Sequence, residues 1–342
     1  MNIKKLNEEL KQAIREANGK EYTFADWFGQ DLTGQTYEGD IDCSNQGLTS
    51  LQGAPKEVIG DFDCCVNKLT SLQGSPKEVG GWFVCSYNKL TNLQGAPEKV
   101  GGDFKCGYNN LTSLQGAPEK VGGDFNCHHS KLTSLQGAPK EVGGWFNCRR
   151  NQLTSLQGAP EYVGGYFECE YNKLTSLEGA PKYVGGNFGC DGNKLTSLQG
   201  APEKVNGSFS CSNNQLTTLQ GAPKEVGGIF ECENNPNLKS LDGIGEVMGK
   251  IYSDIEKNIE KLNKKSNKKG SSYAWSVSEL EFSGSGFKSA KAAYNDAKNF
   301  LKSYGHEVGN FDGKGFTVTD MGDSDMGFTP FEVYGEIYLE EE

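Results

Sequence analysis

From Val58 the chain repeats one phrase, VIGDFDCCVNKLTSLQGSPKE, which restarts at Val79 and keeps a step of 21 residues without a slip. Phe62, Phe83, Phe104, Phe125, Phe146, Phe167, Phe188, Phe209 and Phe230 share one register, with Ile41 as a divergent opening member. Cys43 to Cys232 keep the same step, as do nine of the 11 prolines, Pro55 to Pro223. A unit of this length cannot bury its apolar residues alone, so a strict period requires stacking of unit on unit. Ten coils are counted, over residues 38–246.

Each coil carries its own local instructions. In xFxCx the Phe and Cys alternate with variable residues, the pattern of a strand with one face buried. The preceding GG permits a corner that side chains would block. An Asn follows in eight coils, Asn67 to Asn235, with Gln46 and Ser130 in the other two. Its amide is expected to turn into the backbone of the bend and of neighbouring coils. LTSL supplies two inward leucines, and GAP breaks any helix, so the return side is expected to be extended or turn-like. The prediction is a β-rich solenoid with a parallel strand sheet.

The phrase F-x-C-x-x-N-x-L-T-S-L resembles the leucine-rich repeat in its short form, with Phe and Cys in place of strand leucines, over about 60% of the chain. Arrays of LTSLQGAPxxVGGxFxC resemble in particular those of bacteriophage and prophage proteins. The chain departs from the common pattern at the leucine that opens the strand segment, which is Gly or Asn here with Val one place earlier. The resemblance implies a leucine-rich repeat-like solenoid serving as a non-catalytic protein–protein interaction scaffold. It also implies a virion component or host-interacting factor, in the bacterial cytoplasm or on the virion. Repeats of this kind hold many partners, so the resemblance speaks to fold more than to function.

Ten of the 11 cysteines would form a parallel ladder with coils about 4.8 Å apart and side chains pointing the same way. That geometry is poor for disulfides, and no CxxC pair or in-register His suggests a metal. They are expected to be small, reduced core residues, which places the chain in a reducing compartment. Cys65 falls one place off the ladder and should face outward.

With 34 Lys and Arg against 45 Asp and Glu, the net charge of −11 disfavours a general nucleic-acid or anionic-membrane binder. The mean hydropathy is −0.60, and no apolar run approaches the roughly 18 residues of a spanning helix. MNIKKLNEEL lacks the apolar stretch of a secretory signal, so export by that route is not expected.

Positions that vary while their neighbours repeat are those the fold leaves free. They are the outward strand positions and the pair after each Cys. The chain has three Arg and three His, yet His128, His129, Arg149 and Arg150 lie in two successive coils on this strip. Trp82 and Trp145, half the tryptophans, lie there too, with Tyr87, Tyr108, Tyr166 and Tyr171. Aromatic residues and Arg are the types enriched at binding hot spots, so these ten residues are the candidate partner-binding face. Strand propensity alone would also favour outward aromatics. Glu168, Glu170, Asp191, Glu231 and Glu233 form an acidic shoulder, a mixture that suits a protein surface better than a phosphate backbone. The alternative is a nucleotide or small anionic ligand, stacked on Trp145 or Tyr166 and paired with Arg149 or Arg150. No nucleophile, base and orienter assemble by spacing, so neither an enzyme nor a cofactor is expected.

Residues 1–37 read as a cap: an amphipathic helix over residues 2–18, then Tyr22, Phe24, Trp27 and Phe28 covering the open end of the first coil. After the repeats, residues 247–272 read as a short capping helix opened by Ser253 to Glu256 and a basic linker, NKKSNKKGSS. Residues 273–342 read as a small α+β domain: a strand YAWSVSELEF, a helix from Phe287 to Tyr304, and strands GFTVTD and FEVYGEIYL. Asp320, Asp323 and Asp325 lack the spacing of an EF-hand loop, so no calcium site is expected.

Overall fold

The computed structural model describes residues 21–255 in full and, beyond them, the backbone of five strands. The chain divides into two compact units, Met1–Asp254 and Ile255–Glu342.

The first unit is a parallel-strand β-solenoid. Each coil contributes two strands of two residues, and these form two ladders of 11 strands each. One ladder runs from Thr36–Tyr37 to Glu246–Val247, the other from Ile41–Asp42 to Ile251–Tyr252. Every interior rung pairs with the coil before and the coil after at equal register, as Phe125 does with Phe104 and Phe146. The ladder thus continues one rung past the ten Cys-bearing coils, with Ile251 in the Phe register and a buried Ser253 in the Cys register.

Phe, Cys and both leucines of LTSL point inward, as expected, and Phe125, Cys127, Leu132 and Leu135 are fully buried. The other ladder was not anticipated. The LTSLQGAP return is turn-like, as expected, but it ends in a second two-residue strand, just before the GG corner, whose Val (Val58 to Val226) also faces the core. The GG corner between the strands is a matter of space: a Cβ on Gly143 would stand 2.1 Å from the Gly122 carbonyl oxygen of the previous coil.

The core phenylalanines form one stack, with ring centroids 5.3 Å apart from Phe104 to Phe125 and 5.4 Å from Phe125 to Phe146. Its head is supplied by a short helix, α1 (Phe24–Phe28), whose buried Phe24 lies 6.1 Å from Phe62. Thr23 and Asp26 form a capping box at its start, and Gly29 ends it in the left-handed conformation. Phe24 and Ala25 donate to the Ser50 and Gln52 carbonyls, docking the helix along the first LTSL segment. Of the aromatic residues expected to cover this end, Phe24 is buried against the stack, whereas Phe28 is exposed. The expected helix over residues 2–18 lies outside the described residues.

The Asn ladder is the second long-range thread. Asn172 Nδ2 donates to the carbonyls of Cys148 on the previous coil (3.1 Å) and Cys169 on its own (3.0 Å), while Oδ1 accepts from Leu153 N–H (3.0 Å). One side chain thereby ties two coils. At Ser130 the thread breaks: its buried Oγ has no hydrogen-bond partner, and the Leu111 amide loses the acceptor that an Asn would present. Ser130→Asn is expected to raise stability by about 1–2 kcal/mol in chemical denaturation. An unchanged midpoint would show that these groups are already satisfied.

All 11 cysteines are free thiols, ten of them buried. Burial pushes the ladder thiols far above the ordinary range, and Cys169 Sγ donates to the Gly189 carbonyl at 3.2 Å. Cys65 does sit off the ladder but is half-buried rather than open, and burial together with Asp63 holds its thiol up at about 12.

The second unit contains a five-stranded sheet with antiparallel pairings: Phe282–Phe287, Ser272–Val277, Phe331–Glu340, Gly315–Asp320 and Glu307–Val308, in that spatial order. The first expected strand is shorter than YAWSVSELEF, and Phe287 ends a second strand instead of opening a helix. The rest of that helix, residues 256–271, Asp323 and Asp325 lie outside the described residues.

Candidate partner-binding face

The strip picked out from sequence resolves into columns, one residue per coil. Its outer column is the bend two residues after each Cys, where the backbone is left-handed in every coil from Asn45 to Asn234. Tyr87 (φ 55°), Tyr108 (54°), His129 (51°), Arg150 (53°) and Tyr171 (55°) occupy it. Such φ values favour Gly and Asn and cost other residues about 1–2 kcal/mol each. At the two ends of the solenoid the column holds those favoured types, Asn45 on one side and Gly192, Asn213 and Asn234 on the other. The middle coils depart from them, starting with Val66 and continuing to Tyr171.

These bend residues line a surface rail in two contacting runs. Tyr87 stacks on Tyr108 (4.3 Å), Tyr108 on His129 (4.5 Å), and the Arg150 guanidinium lies 5.0 Å over the Tyr171 ring. Tyr87 is 52% exposed, so the rail faces solvent.

One place inward stand His128, Arg149, Glu170 and Asp191. His128 turns toward Asn126 Oδ1, in room left by Gly107, where a Cβ would meet its ring at 2.7 Å. Burial, then His129 and the two arginines, lowers the His128 pKa. Arg149 reaches forward to two carboxylates on the next coil, Glu170 at 3.4 Å and Glu168 at 3.6 Å. Glu170 Oε2 is buried without a hydrogen bond, and burial raises its pKa from 4.5 to about 7 against the pull of Arg149. Because the folded value lies above the unfolded one, the protonated form favours folding, and that contribution fades as pH rises through about 7. Glu170→Gln stays neutral throughout. Relative to it, the natural chain is expected to lose stability between pH 4.5 and about 7 in parallel denaturation series, and a constant difference would show that Glu170 ionises normally.

The third column precedes the core Phe. There Asp124 Oδ1 accepts the backbone N–H of Trp145 one coil on (2.7 Å), as Asp61 does for Trp82 and Asn187 for Ser208. The short polar residues of this column are therefore caps on the next coil. Trp82, Trp145 and Tyr166 give up that role. Trp145 and Tyr166 stack on each other at 4.7 Å, and Lys105 lies 4.7 Å over Trp82. The structure thus places all ten predicted residues on one strip, as one rail, one charged column and two aromatic islands.

The Val-bearing ladder is different in kind. Its outer residues, and those just before them, pair with neighbours on adjacent coils: Lys99 with Glu78, Lys120 with Glu141, Lys204 with Glu225, and Lys77 with Glu98, at 2.5–2.9 Å. Exposed pairs like these add little stability, but they leave that face balanced within itself. Its interruption, the stacked and exposed Tyr162 and Tyr183, escaped the sequence reading. Those two vary in register against Glu141 and Lys204, which was the available signal.

No family model matches the chain, and no curated protein matches it. Among solved structures it is similar to YopM from Yersinia enterocolitica WA-314, with 19% identity and a TM-score of 0.46. That alignment covers 61% of this chain and 45% of the other. The leucine-rich repeat-like character of the solenoid rests on its own coils: a strict 21-residue step, parallel rungs and an inward Asn ladder.

Proposed function

We propose that this solenoid is a non-catalytic scaffold that holds a partner protein on the ladder face bearing Trp82, Tyr87, Tyr108, His128, His129, Trp145, Arg149, Arg150, Tyr166 and Tyr171. The observation that carries the reading is the left-handed column. A fold free to choose would place Asn or Gly at these bends, and it does so at both ends, while the middle coils carry Tyr, His and Arg against the backbone's preference. Strain retained at a surface position, with no core to serve, supports a role in recognition. The resemblance of the repeat phrase to phage and prophage arrays adds a setting: a virion component or a host-directed factor, in the bacterial cytoplasm or on the particle. A stacked nucleotide is the weaker reading, because the flat faces of Trp145, Tyr166, Tyr108 and His129 already rest on one another.

Two variants test this. Trp145→Ala is expected to weaken partner binding by about 2 kcal/mol with little change in stability. Tyr108→Asn is expected to weaken binding too, with stability within about 1 kcal/mol of the natural chain, since relief of the bend offsets the lost stacking. The measurement is affinity for the protein recovered with the natural chain from host lysate or particles, alongside denaturation. Binding indifferent to both variants would remove this face from consideration.

A further inference from the structure

The Arg150 guanidinium lies over Tyr171 and makes no ion pair among the described residues. Glu170, one coil on from Arg149 in the same column, is buried with Oε2 lacking a hydrogen bond and shares Arg149 with Glu168. The strip is basic over the coils of Phe125 and Phe146 and acidic over those that follow, Glu168, Glu170 and Asp191. A surface with both signs in adjacent blocks is complementary to its own reverse.

Building on the proposed binding face, we propose that its partner is a second copy of this chain, docked face to face about a two-fold axis that runs along the strands between the Phe146 and Phe167 rungs. Such an axis keeps each column over itself and reverses the coil order, so residues on the two rungs beside it face partners 21 positions away and rungs further out face partners progressively more distant in sequence. Arg149 then faces Glu170, and His128 faces Asp191. Further out, the rung of Phe83 meets that of Phe230, which sets Trp82 against Ile229. The next exchange sets Asp61 against Lys250. From the rung of Phe62 to that of Ile251, no like-charged residues face each other in the columns before Phe, after Phe or after Cys. Shifting the axis one rung toward the C-terminus destroys the match, because Glu170 then faces Asp191. Each contact is made twice, as an isologous interface requires. Like charges brought face to face at such an interface cost several kcal/mol, so that shift is disfavoured.

The test is the mass of the full chain in solution, by light scattering over a concentration series in low and high salt. The expected species is twice 37.2 kDa, dissociating more readily as salt rises. Arg149→Glu and Glu170→Arg each place like charges across the axis twice and are expected to weaken the dimer by about 100-fold. Mixed in equal amounts, the two variants restore opposite charges at both places and should pair. Trp82→Glu, which leaves the ion cluster untouched, guards against a folding defect at Glu170, and circular dichroism reports folding for all three. A chain that stays monomeric up to its solubility limit, yet still loses a captured protein on Trp145→Ala, overturns self-docking and leaves the binding face intact. A dimer unaffected by Arg149→Glu and Trp82→Glu, or variants that do not pair on mixing, also overturns it.

Discussion

Phe125→Ala is expected to lower the unfolding free energy by about 3–5 kcal/mol, as truncation of a fully buried aromatic does. Its ring is inaccessible and lies between those of Phe104 and Phe146, 5.3 and 5.4 Å away. Removing it therefore opens a cavity and also interrupts the stack. The surrounding coils cannot close the gap, because their spacing is set by strand pairing above and below. In a linear array, stability is a sum of coil terms and nearest-neighbour interfaces, so loss at a central coil weakens two interfaces at once. Urea denaturation measures the cost, and a loss under about 1 kcal/mol would mean that the core is not organised around this stack.

Asn172→Ala is expected to cost about 2–4 kcal/mol, although it removes a smaller side chain. The loss is one of satisfaction rather than volume. Leu153 N–H is left buried without its acceptor, while the Cys148 and Cys169 carbonyls each keep one donor, from Asn151 and Asn193. Asn172→Asp separates the two explanations, since it conserves size but turns a carboxylate toward carbonyl oxygens that need donors. If packing volume were the cause, the Asp variant would behave like the natural chain. If hydrogen bonding is, it is expected to be at least as unstable as the Ala variant.

Much of the solenoid is legible from residues because Phe, Cys, Leu and Asn repeat at positions that physics reserves for the core and the bend. The Val ladder was not legible, since a two-residue strand with Glu or Lys outside offers one inward residue per coil and no alternation to detect. The candidate strip was read from scarce residue types, which located it, but its left-handed bend stayed hidden because Tyr, His and Arg mask the usual marker. Asn45, Gly192, Asn213 and Asn234 in the same register carried that marker at the edges. The capping role of Asp61 and Asp124 was missed for a similar reason, as the partner of each lies one full coil away in sequence.

The unbroken 21-residue register has an evolutionary consequence. Because every coil presents the same backbone edges to the coil before and after, a duplicated or deleted unit splices into the ladder without a new joint. Such an event carries everything downstream along by one rung, about 4.8 Å, and leaves the chemistry within each coil untouched. Descendants of this gene can thus lengthen the strip, shorten it, or slide its basic block relative to its acidic block through single recombination events, with the core already solved.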